Sequence, residues 1–124
     1  MILSFSLTEK EFLSGIKTET RRDWKPRTLR VWQKAWDEGR LIHDAVNRGL
    51  HRGGRRIGKL TLTARPEREA LRTMMAANLK AEGGMCATVA EFCKLVNQRP
   101  SKRMVVVRFV KLNAEVSDGA GRKL

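Results

Sequence analysis

Residues 104–112 read Met-Val-Val-Val-Arg-Phe-Val-Lys-Leu, and the core of that run, Val105-Val106-Val107, is apolar at three successive positions. Successive strand residues point to opposite faces, so three apolar neighbours in a row need cover on both sides. β-Branched side chains also favour the extended pleat over a helix. The run therefore reads as a central strand, broken on one face by Arg108, and the rest of the chain must supply its flanking strands and covering helices.

The preceding segments offer those parts. Met1 to Ser6 alternates apolar and polar positions and reads as a short half-buried strand. Thr8 and Glu11 have the spacing of a capping box, opening a short helix with Phe12, Leu13 and Ile16 on its apolar side and Gly15 as its stop. Pro26 suits the first turn of a helix over 26–37, closed by Gly39. On that helix Leu29, Trp32 and Trp36 share one side, while Arg27, Arg30 and Lys34 share the other. Leu41–Val46 and Ile57–Ala64 read as strands joined by a flexible cationic loop, Asn47–Arg56. Pro66 is expected to start a third helix with Leu71, Met74, Met75 and Leu79 as its stripe, ended by Gly83 and Gly84 with Glu82 at its tip. Thr88 and Glu91 form a second capping box, before a helix that carries Val89, Phe92, Cys93 and Val96 to near Gln98. Strands and helices in this order do not alternate strictly, so the fold class is α+β.

The length of 124 residues suits one domain, placed at 1–112, with 113–124 as a flexible tail. Lys and Arg number 26 against 13 Asp and Glu, a net charge of +13 that favours a polyanionic partner, nucleic acid ahead of an anionic membrane. No run approaches the roughly eighteen apolar residues of a membrane span, and a cytoplasmic location is expected. Cys86 and Cys93 lie far from His43 and His51, so neither a metal site nor a cofactor is expected.

The polar stretch of most chemical interest is Gly15-Ile16-Lys17-Thr18-Glu19-Thr20-Arg21-Arg22. In an uninterrupted strand Lys17 and Thr20 would face opposite ways, so a shared site requires a bend or bulge between them. Trp24 sits among Arg21, Arg22 and Lys25, a neighbourhood suited to stacking on an unpaired base or to packing against the first helix. A nucleic-acid surface built from the residues alone comprises Lys17, Arg21, Arg22, Trp24, Lys25, Arg27 and Arg30 with Arg52, Arg55 and Arg56 of the Gly-rich loop. No RRM, KH, zinc-finger or P-loop motif narrows the partner further.

Gly15, Lys17 and Arg22 match G-x-K-x-x-x-x-R, and in this the chain resembles the ASCH domain family of the PUA-like superfamily. The usual motif has glutamate three residues after the lysine, where this chain has Thr20. In that departure it resembles the N4-acetylcytidine amidohydrolase-type members, as it does in Ala81-Glu82-Gly83-Gly84 followed by Val89-Ala90-Glu91-Phe92. The resemblance covers 1–112. It implies a small, mainly antiparallel PUA-like β-barrel with flanking helices, and a function in binding nucleic acid, RNA ahead of DNA. Alternatively it implies a metal-independent amidohydrolase acting on an acylated nucleoside, with Lys17, Thr20 and Glu82 as the catalytic set, or a ribonuclease. A PUA-like adaptor is the remaining reading.

Overall fold

β6 (Arg103–Leu112) is the strand on which the sheet is laid. It pairs antiparallel with β2 (Glu19–Arg22), β4 (Arg56–Leu62) and β5 (Glu67–Ala70). The register sets Glu19 opposite Arg108 and Arg22 opposite Val105, while β5 pairs over Arg103–Val106, so β2 and β5 flank β6 from opposite edges. β3 (Ile42–Val46) adds to β4 with a register shift at Ala45/Val46, and β1 (Ile2–Ser4) joins β3 in parallel. This computed structural model describes residues 1–113, a small α+β fold with a six-stranded, mostly antiparallel sheet ordered β1-β3-β4-β6-β2 and with β5 beside β6. The tail expected over 113–124 lies outside the described residues except for Asn113.

The double-sided apolar character of β6 has its cause in two separate cores. Val105, Val107 and Phe109 join Leu3, Phe5, Phe12, Trp32, Leu60 and Leu62. Met104 instead joins Leu71, Met74, Leu79, Phe92 and Cys93. α2 (Pro26–Asp37) covers the first core with Trp32 buried and Leu29 and Trp36 against it, and Gly39 adopts a φ of 77° as the chain leaves. Helix periodicity and Pro at the first turn suffice to account for it. α4 (Val89–Leu95) covers the second core, its Thr88 hydroxyl accepting the Glu91 amide at 3.1 Å. That helix stops at Leu95, short of Gln98, because Asn97 turns the backbone to a φ of 55°. Among the described residues no helix is long and apolar enough to cross a membrane.

Two expectations are corrected. Pro66 does not open a helix: β5 follows it, then a 3-10 turn at Leu71–Thr73, and α3 spans only Ala76–Ala81. Leu71, Met74 and Leu79 are buried as a helical stripe would be, yet Met75 is 71% exposed. The open edge of β6 takes residues 67–70 as a strand, and tertiary pairing overrides local periodicity. In α1 (Glu9–Leu13) the first capping box does not form, since Thr8 has a ψ of 31° instead of the extended value that aims a hydroxyl at the helix amides. Phe12 alone of the expected apolar side is buried; Leu13 and Ile16 are exposed.

Candidate active site

Gly15, at a φ of 81°, turns the chain out of α1, and Lys17 follows in a short connection before β2 begins. That connection is pinned at three points: the Lys17 amide donates to the Glu11 carbonyl at 3.1 Å, the Thr18 amide to Ala81 at 2.7 Å, and the Phe109 amide to Thr18 at 2.9 Å. Lys17 thus lies outside the strand, and no bulge is needed to bring it to the same cavity as Thr20. From the opposite side α3 ends at Glu82, where Gly83 and Gly84 turn away at φ values of 127° and 74°.

Lys17 Nζ donates to the Glu82 carbonyl at 2.6 Å and to its Oε1 at 2.9 Å. A carboxylate at a helix C-terminus faces the negative end of the dipole, and this ammonium offsets both at once. Arg21 Nη1 donates to Glu82 Oε2 at 2.8 Å, so both carboxylate oxygens accept from cations. The three side chains are almost wholly buried, and removing one partner from such a group is costly because the others keep their desolvation penalty. Burial pushes Lys17 below the ordinary lysine range; attraction and hydrogen bonding from Glu82 oppose this, and Arg22 and Arg21 add to it.

Thr20, also buried, accepts from Arg22 Nε at 3.2 Å, which leaves the hydroxyl proton free to be donated elsewhere. The Arg22 guanidinium lies 5.6 Å from the Phe5 ring centroid and donates to the Ser4 carbonyl. Lys17, Thr20, Arg21, Arg22 and Glu82 line a cavity of about 240 Å³. Ser4–Thr8 form one wall, and Met85, Phe92, Leu95 and Val96 form an apolar one.

The other expected binding residues lie outside that cavity. Trp24 is half-buried and stacks on Trp32 at 5.1 Å, packing against the core that Trp32 and Phe12 of α1 share. Lys25, Arg27 and Arg30 are exposed around α2. Arg52 and Arg55 are exposed in the β3–β4 connection and Arg56 at the start of β4; Arg55 pairs with Glu9 at 3.5 Å and Arg56 with Asp44 at 3.2 Å. That connection is a hydrogen-bonded turn: Asn47 and Arg55 bond across it, and a Cβ on Gly54 would sit 2.0 Å from the Arg48 carbonyl. The sequence reading gave no site role to Glu19, Asn78 or Arg108. Glu19 accepts from Arg21 at 3.0 Å, Arg108 Nε at 3.1 Å and the Asn78 amide at 3.2 Å. The interruption of the apolar β6 run by Arg108 was the one available signal.

Compared with models of protein families, with curated proteins and with solved structures, the chain has no match.

Proposed function

We propose that the protein hydrolyses the exocyclic amide of an acylated nucleoside of the N4-acetylcytidine type, the substrate class that its ASCH-like motif implies. The observation that carries this reading is the placing of Lys17, Thr20 and Glu82 on one cavity, with Lys17 Nζ 2.9 Å from the Glu82 carboxylate. Lys17 in its amine form takes the Thr20 hydroxyl proton as Thr20 Oγ1 bonds to the acyl carbon. The resulting ammonium returns that proton to the leaving nitrogen as the C–N bond breaks, because both Glu82 oxygens already accept from cations. Glu82 thus orients Lys17 and does not itself donate the proton. Water then cleaves the threonyl ester, giving acetate and restoring Thr20. Arg22, bonded to Thr20 Oγ1, stabilises negative charge that builds near that oxygen.

The PUA-like barrel belongs to the same reading. Its support is the approach of β1 and β2, the two ends of the sheet path, where Arg22 reaches the Ser4 carbonyl beside the cavity. A cytoplasmic site of action accords with a nucleoside substrate. RNA binding is the second reading, favoured by Lys25, Arg27, Arg30 and Arg52, exposed cations that make no ion pair with another described residue. Incubation with N4-acetylcytidine in metal-free buffer tests the first: cytidine and acetate should appear in equal amounts, and Thr20→Ala should release neither above background.

A further inference from the structure

Glu19 is a buried carboxylate with no place in the reaction just described, yet it is the most heavily bonded side chain near the site. It lies on β2, next to Thr20 and two residues from Arg21, and its Asn78 partner lies on α3, the helix that ends at Glu82. Asn78 is itself held, its Oδ1 accepting the Met75 amide at 2.8 Å. Arg21 Nη1 spans the two acids, 3.0 Å from Glu19 Oε1 and 2.8 Å from Glu82 Oε2. Arg108 holds the other side of Glu19 and passes to Glu69 at 3.0 Å. The result is an alternating chain, Lys17–Glu82–Arg21–Glu19–Arg108–Glu69, with three cations and three carboxylates.

We infer that Glu19, acting through Arg21, is a positioning residue that locks β2 to α3 and divides the hold on Glu82 between Arg21 and Lys17. This rests on the amide-hydrolysis reading for its consequence in turnover, although the linkage can be measured without it. Because Arg21 is shared, its two acids compete. Neutralising Glu19 leaves Arg21 to Glu82 alone, so Lys17 loses part of its counter-charge and gives up its proton at lower pH. Removing Arg21 delivers Glu82 wholly to Lys17 and takes away a neighbouring cation, so Lys17 keeps its proton to higher pH. Loss of a carboxylate and loss of a cation also shift Lys17 in opposite directions through space, so the route through Arg21 is read from the double variant.

The other groups around Lys17 stay constant in this comparison. Arg22 on β2 acts on Lys17 directly; near Glu82 stand Glu11 of α1, whose stem packs where a Gly83 Cβ would lie at 3.2 Å, and the Cys86 thiol after α3, which is pushed up by burial and then by Glu91 and Glu82. α4 lends the cavity Phe92 and Leu95, Val96 follows just beyond it, and β1 lends Ser4.

The experiment follows Lys17 by NMR of 13C-lysine-labelled full chain against pH, for wild type, Glu19→Gln, Arg21→Met and the double variant, beside the pH–rate profile for N4-acetylcytidine. Glu19→Gln should move the Lys17 titration and the acidic limb of the profile down, and Arg21→Met should move both up, each by about one pH unit. In the Arg21→Met background Glu19→Gln should add little, because its route is gone. Shifts of the same sign, none, or an undiminished Glu19→Gln shift in the Arg21→Met background overturn the inference. Should either buried variant fail to fold, the half-exposed Arg108→Gln decides: it frees Glu19 to draw on Arg21, so a smaller upward shift supports the linkage and an unmoved titration overturns it. Wild-type protein without turnover would defeat the hydrolase reading alone, leaving the NMR titration to judge the linkage.

Discussion

Two cation-rich stretches have opposite physical characters. In Lys17–Arg22 the Lys17 and Arg21 side chains are 3% and 2% exposed and are tied to Glu82 and Glu19 by bonds of 2.8–3.0 Å. In Arg48–Arg56 the cations stand in solvent, with Arg55 and Arg56 side chains 73% and 61% exposed beside longer pairings of 3.5 Å and 3.2 Å. A paired, buried cation keeps its position, and Lys17 also holds its proton less tightly, whereas a solvated cation supplies field. Net charge therefore says little about the cavity and much about the turn.

Substitution should separate the two regions most widely through Glu82. Glu82→Ala leaves Lys17 and Arg21 buried without their shared acid and should cost about 3–5 kcal/mol, read from urea unfolding. A cost below about 1 kcal/mol would mean that these cations reach solvent with ease, and the contrast between the stretches would collapse. The next effect belongs to the solvated cations. Single-stranded RNA should bind with a log–log salt slope of roughly −3 to −6, at about −0.7 per phosphate contact, and Arg52, Arg55 and Arg56 changed together to Ala should flatten that slope by about 2. An unchanged slope would remove the turn from the nucleic-acid surface. Smallest of all is the stability change of that triple variant, expected within about 0.5 kcal/mol for each substitution, since surface positions seldom exceed it. Melting that collapses would make the turn a structural element like the buried stretch.

Local chemistry made much of this fold legible. Val105-Val106-Val107 announces a strand with two covered faces, Pro26 with the Trp32/Trp36 spacing defines α2, and Thr88 caps α4 as its spacing to Glu91 requires. Pro66 misleads because its four following apolar positions fit a helix, while the demand that draws 67–70 into the sheet comes from β6, far along the chain. The site divides in the same way. Lys17 and Thr20 lie in one short stretch and are visible there, but Glu82 is 65 residues from Lys17 and stands out only as an acid at a helix tip and through the family resemblance. Glu19 and Arg108 meet across 89 residues through the β2–β6 register, which no local spacing encodes.

The central claim is that Lys17 moves a proton between Thr20 and the leaving nitrogen, and steady-state turnover of N4-acetylcytidine by wild type and Lys17→Arg tests it most directly. A guanidinium keeps the positive charge and can still meet Glu82, yet it does not release its proton at neutral pH. The account predicts acetate release by the wild type and loss of nearly all of it in Lys17→Arg, with the variant still folded. Full turnover by folded Lys17→Arg, or no acetate above background from the wild type, would contradict it.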